Sequence, residues 1–421
     1  MSAICGIFHR DGAPASSEGI TPALTRLAGY GDRPPRAWAE GALVLGQVMN
    51  ALTPQDALTP QPITRGAYTI TADARIDNRA DLFAALDVPP ALHADLSDAA
   101  LIGMTYARWG EACVEHLIGD FAFALWDDEA HCLLLGRDSI GARPLYYSLT
   151  PRGCVFASEL AVLLDMPGVP RRIDEDEIAR LLLAKDSFTQ TDTTFWQNVY
   201  RLPFGCTLMV SADRHRQRRY DDFTPRRDVR FASIDDYADA LYALVETAVH
   251  DRLRLLPGVG VGAHCSGGID SSSVAALVTR ARRADGLPPP PWYSWSPPPP
   301  AGADLEATEH RRIERLAARE GATVHYMTAA REPLAIDPAR RPINTLVSEQ
   351  LVQPIAAGHG VRVLFSGWGG DEGISFNGRG LAGERLLRGQ WRALARQLRL
   401  RQAAKGGAAL RAAASRLWEG A

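Results

Sequence analysis

The chain has 421 residues, with 46 Lys and Arg against 49 Asp and Glu and a formal charge of −3. That length suggests about two or three domains, and a hydrophobic content of 46% with 23% charged residues excludes global disorder. The near-neutral balance leaves no electrostatic footprint for nucleic acid, and no apolar run reaches the ~18 residues of a membrane span, so neither a nucleic-acid nor a membrane partner is expected.

The start, Met1-Ser2-Ala3-Ile4-Cys5, has no basic stretch leading into an apolar one, so no signal peptide is expected and a cytoplasmic location is. Up to about residue 210 the chain reads as short strands between turns. Residues 67–72, 121–126 and 132–135 are aromatic and aliphatic runs bounded by Gly and Asp, and Ser97 precedes an apolar run as a helix cap would. Cysteines 5, 113, 132, 154, 206 and 265 show no CxxC spacing, which speaks against a zinc site or a disulfide framework. The polar, arginine-rich stretch 213–232 predicts a linker between a first domain, 1–212, and a second, 233–421. Only Lys185 and Lys405 are lysines, so any chemistry that needs one has two candidates.

From Ile234 the apolar period becomes helical, through Tyr237, Leu241, Leu244 and Val245. Strand patterns at 259–265, 292–296, 323–326 and 361–365 then alternate with helix patterns after 274, at 304–319 and at 344–357, and 381–421 reads as an arginine-rich amphipathic helix. Such alternation predicts a parallel, doubly wound sheet. The proline runs 288–291 and 297–300 read as stiff loops around the second of these strands rather than as polyproline ligands.

Two loops carry chemistry. Ser266-Gly267-Gly268-Ile269-Asp270-Ser271 lies directly after a strand and before a helix, where unpaired N–H groups and the helix dipole favour an anion. Glycines allow close approach to phosphate oxygens, and the absence of a following Lys excludes a Walker A loop. Ser366-Gly367-Trp368-Gly369-Gly370-Asp371-Glu372 also ends a strand, so Asp270 and Asp371 are expected to face one crevice. Two carboxylates beside a polyphosphate suit Mg²⁺.

These loops resemble the PP-loop ATP pyrophosphatase domain of asparagine synthetase-like enzymes. Cys5-Gly6-Ile7-Phe8, Gly119 to Asp127, Arg137 to Tyr147 and Phe156 to Glu159 are similar to the class II glutamine amidotransferase domain of the same family. The resemblance implies an Ntn-type αββα sandwich followed by a Rossmann-like parallel α/β domain. It implies an ATP-dependent carbon–nitrogen ligase that adenylates a carboxylate, releases pyrophosphate and lets an amine attack. His264 and Ser296 would line the adenine side, Ser266, Gly267, Gly268, Asp270, Ser271, Ser366 and Gly367 would hold the phosphates, and Asp270 and Asp371 would hold Mg²⁺. Asp270, Asp371 and Glu372 would form the catalytic acidic set.

Departures from the family matter as much. Its glutaminase nucleophile is a Cys whose own α-amine acts as base, whereas Ser2-Ala3-Ile4 precede Cys5. The family's glutamine-binding Arg corresponds to Met49 and its Asn-Gly-Glu to Asp73-Ala74-Arg75, with only Asp98 kept. A glutaminase-impaired first domain is expected, with Cys5 a buried strand residue. Trp368 and the following Phe376-Asn377-Gly378-Arg379-Gly380 resemble lasso-peptide macrolactam synthetases. Those relatives close a precursor peptide's side-chain carboxylate onto its N-terminal amine, and a leader peptidase accompanies them. The family's catalytic Lys lies far beyond the second loop, and Lys405, 34 residues past Asp371, does not match it. Asparagine synthetase proper and a nucleotide-binding partner without turnover are the alternatives.

Overall fold

A computed structural model describes residues 2–183, 192–224, 229–295, 309–327, 347–375 and 381–405. The described residues divide into two compact units, one up to Val259 and one from Gly260 onward.

The first unit holds twelve described strands in two antiparallel sheets. One sheet runs β10 (Tyr200–Arg201), β8 (Tyr146–Thr150), β9 (Gly153–Ala157), β1 (Ala3–His9), β3 (Leu43–Val48), β2 (Arg36–Glu40). The other runs β12 (His215–Arg219), β11 (Cys206–Val210), β7 (Cys132–Arg137), β6 (Gly119–Asp127), β5 (Tyr68–Ile76), β4 (Ile63–Arg65). Side chains alternate across β1 as a strand period of two demands. Ile4 and Phe8 join Ala122, Ala124, Leu133 and Leu135 in a core between the sheets. Ala3, Cys5 and Ile7 instead pack against Ile20, Leu24 and Leu27, beneath the helix Thr21–Leu27. On the far side, Ala99 to Ile102 of the helix Asp98–Trp109 cover Ile70, Phe121 and Phe123. Helices therefore flank two packed sheets, the αββα sandwich.

One sequence expectation changes in this unit. The expected linker 213–232 contains β12, which pairs with β11 from Cys206↔Arg219 to Val210↔His215. Its side chains are nearly all exposed, so no apolar alternation marks it. The helix Ile234–Arg252 groups with the first unit by its contacts.

The second unit contains β13 (Gly260–His264), β14 (Trp292–Ser294), β15 (Val324–Tyr326) and β16 (Val361–Phe365) in the order β15-β14-β13-β16. All three pairings are parallel. Consecutive strands step one way from β13 and then the chain returns to its other side, the doubly wound order. The helices Ile269–Ala284, Glu309–Glu320 and Val347–Gly358 connect them. The single helix expected from 381 is two, Leu381–Leu387 and Trp391–Lys405. Gly389 takes φ +64 between them, and the bonds from Gly389 N to Leu386 O and from Gln390 N to Arg385 O close the first helix.

Candidate active site

In an open doubly wound sheet, ligands bind beyond the carboxyl ends of strands where the order reverses. Here that point lies between β13 and β16, and the two glycine-rich loops of the second unit start there. His264 closes β13 and is buried, and burial pushes its imidazole down to about 4, so it is neutral at ordinary pH. The chain then turns through Gly267, whose φ of +77 favours glycine, into the helix Ile269–Ala284. Gly268 stands at the N-cap, where it has no side chain to cap the first turn. Ser266 Oγ and Ser271 Oγ lie 2.9 Å apart, and Ser266 N donates to Ser271 Oγ at 3.1 Å. Hydroxyls and helix N–H groups thus gather where the dipole favours negative charge.

The loop after β16 is pressed onto that helix end. A Cβ on Gly367 would stand 2.4 Å from Ser271 N, and one on Gly370 would stand 2.3 Å from Asp270 Cγ. Only glycine permits this approach. Ser366 Oγ accepts from Trp368 N at 3.0 Å and fixes the loop's start. The turn Gly370–Ile374 then carries Asp371 round so that Ser375 Oγ lies 3.0 Å from Asp270 Oδ2 and 3.5 Å from Asp371 Oδ1. Asp270 and Asp371 therefore converge. Glu372, on the same turn, is exposed and takes no part in this bridge. Ser296 and the run 376–380 lie outside the described residues.

These residues suit Mg²⁺. Among the described residues no group of three or more His, Cys, Asp or Glu side chains is arranged to hold a metal. Two acceptor-only carboxylates set around one hydroxyl match an ion that takes few protein ligands and completes its shell with phosphate oxygens and water. Asp270 and Asp371 would hold it.

In the first unit, Cys5 pairs with Gly46 of β3 and Ala157 of β9, and its thiol faces the apolar layer. It is fully buried, and burial pushes the thiol up to about 12, far from the reactive thiolate. Asp98 is also buried. It binds Arg79, accepts from Arg254 at 2.6 Å and accepts from Ile76 N at 3.0 Å. Arg75 donates to Asp77 at 3.0 Å and to the carbonyls of Asp251 and Arg254. Arg252 grips Asp120 through two bonds of 2.6 and 2.7 Å and reaches Asp77 at 2.8 Å. Burial still raises the Asp77 carboxyl, although both guanidiniums oppose it. Asp73 accepts from Ser2 N at 3.0 Å, with Arg143 3.7 Å away. Asp98 is thus engaged by the protein's own guanidiniums.

Sequence reasoning missed three participants. Ser375 links the carboxylates, Arg254 reaches back to Asp98, and Trp295 meets both His264 and Trp368 with ring centroids 5.1 and 6.1 Å apart. The aromatic run 292–295 and the Arg252/Arg254 spacing are visible in the sequence, but their partners are not.

An αββα sandwich in the first unit and an open α/β crevice with two converging carboxylates in the second define a class, and sequence comparison gives the family. Residues 1–221 match the glutamine amidotransferase domain and residues 240–420 match asparagine synthase. The chain belongs to the asparagine synthetase-like family, in which the first domain precedes the second. The asparagine synthetase [glutamine-hydrolyzing] 3 of Bacillus subtilis is 28% identical over 227 residues, covering 54% of this chain and 36% of its own length. Amidase chry2 of Gibberella zeae is 32% identical over 188 residues, 44% of this chain and 26% of its own. Asparagine synthetase [glutamine-hydrolyzing] 2 of B. subtilis is 27% identical over 220 residues, 50% of this chain and 29% of its own. The chain therefore spans between 26% and 36% of the length of these relatives. Among the described residues no helix is long and apolar enough to cross a membrane.

Proposed function

We propose that this chain carries the nucleotide site of an ATP-dependent amide-forming ligase that activates a side-chain carboxylate and joins it to an amine. The observation that supports it most is the approach of Asp270 and Asp371 around Ser375 Oγ, beside a glycine-capped helix end. The carboxylate oxygen attacks the α-phosphorus of ATP, and pyrophosphate leaves with the electron pair of the broken P–O bond. The amine nitrogen then attacks the acyl carbon, AMP departs and the amine gives up a proton. Ser266, Ser271 and the first helix N–H groups would bind the departing phosphates, with Ser366 and Gly367 closing the other side. Mg²⁺ held by the two carboxylates would neutralise charge on the diphosphate.

The finer reading is that the carboxylate belongs to a precursor peptide and the amine to that peptide's own N-terminus, so that the product is a macrolactam of lasso type. Three observations favour it over glutamine-fed synthesis. Cys5 is sealed in the core, Arg75 and Arg254 occupy the surroundings of Asp98, and Trp368 stands where asparagine synthetases have Glu. The names of the B. subtilis relatives favour the second reading, aspartate as acyl substrate. Carboxylate-dependent exchange of pyrophosphate into ATP tests the pair. Exchange driven by a Glu- or Asp-containing peptide supports the first reading, exchange driven only by free aspartate supports the second, and no exchange with any carboxylate contradicts both.

A further inference from the structure

One aromatic feature stands beside the crevice. Trp295 follows β14 and Trp368 lies in the loop after β16, so they flank the tip of β13 from its two sides. Their ring centroids are 6.1 Å apart at 55°, within the range of tilted aromatic contacts. Trp368 remains 55% exposed although the loop beneath it is clamped by Gly367 and Gly370. A large ring, more than half exposed, is therefore held on the rim three residues from Asp371. Trp295 Nε1 is shut from solvent and meets no acceptor among the described residues. A group closed to water is closed to a ligand oxygen as well, so Trp295 contributes through its ring contact with Trp368.

The charge around the rings narrows what they can take. Residues 366–375 include two acidic side chains and no basic one. A free amino acid would bring a second carboxylate to residues 366–375, which offer it no cation. A peptide brings neutral amides and side chains instead.

We propose that Trp295 and Trp368 form the platform that selects the acyl substrate, taking a planar apolar side chain of a peptide next to the carboxylate to be activated. This rests on the ligase reading above. Trp368 supplies the exposed ring, and Trp295 steadies it through the ring contact.

The test measures binding of two peptides to the full chain, with Mg²⁺ and a non-hydrolysable ATP analogue present, and separately binding of the analogue alone. The probes are N-acetyl-glutamyl-phenylalaninamide and N-acetyl-glutamyl-alaninamide. The phenylalanyl probe should bind about tenfold more tightly, as one added aromatic contact with its burial provides. Trp368→Leu should erase that preference, and Trp368→Phe and Trp295→Phe should each keep most of it. Analogue affinity should be the same in the native chain, Trp368→Leu and Trp368→Phe. Equal binding of both probes to the native chain overturns the platform, as does Trp368→Leu weakening the analogue rather than the peptide. If the analogue fails to bind while the aromatic preference persists, the nucleotide reading fails and the platform stands.

Discussion

Ser375 Oγ stands 3.0 Å from Asp270 Oδ2, so a hydroxyl from the loop after β16 touches the carboxylate that begins the helix after β13. The same Ser375 hydroxyl lies 3.5 Å from Asp371 Oδ1. The contact depends on backbone approach more than on the serine, because Gly370 lets the turn ride over Asp270.

Gly370→Ala tests that dependence. Its Cβ would fall 2.3 Å from Asp270 Cγ, so the turn or the aspartate must move. A shift of about 1 Å at a reacting centre costs roughly a hundredfold in rate, and pyrophosphate exchange should fall by that order with the far-ultraviolet spectrum unchanged. Exchange at native rates would mean that the approach is incidental.

Cys5→Ala should leave product formation unchanged with either glutamine or ammonia present, since the thiol is buried in an apolar layer and held protonated. Loss of glutamine-dependent product in this variant would restore Cys5 as a nucleophile.

Asp98→Ala should act on stability. Its carboxylate is 2% exposed and serves Arg79 and Arg254 together, so removal strands buried guanidiniums at a cost of about 3 kcal/mol. Denaturant unfolding measures this. A change within a few tenths of a kcal/mol would show that the cluster contributes nothing to the fold.

His264 makes stability depend on acidity. Its folded pKa is lowered from 6.5 to about 4 because burial penalises the charged ring. Between those values the unfolded chain binds the proton and the folded chain does not, so unfolding gains as pH falls. The stabilisation is therefore complete above pH 6.5 and declines as pH falls toward 4. Unfolding midpoints of native protein and His264→Gln compared across this window should converge on acidification. Parallel pH profiles would contradict the assignment.

Much of this architecture was legible because burial writes itself into sequence. β16 coincides with the expected 361–365 run, and Ser97 caps its helix by accepting from Ala100 N, as its position before an apolar run predicted. β12 escaped notice because an edge strand of Arg and His has no buried face to reveal its period. Gly389 was visible, but nothing local distinguishes a helix-ending glycine from a tolerated one until its φ is known. The two loops announced an anion site through their glycines and serines, whereas Ser375, Arg254 and Trp295 act on partners far away in sequence. Tertiary approach alone brings such pairs together.

The most direct measurement is a double-mutant cycle on Asp270→Asn and Asp371→Asn, reading Mn²⁺ affinity by paramagnetic resonance with the ATP analogue bound. If both side chains ligate one ion, the double variant should lose much less affinity than the two single losses combined, with coupling on the order of 1 kcal/mol or more. Strictly additive losses, or a Mn²⁺ affinity that neither substitution alters, would contradict a shared metal–diphosphate site.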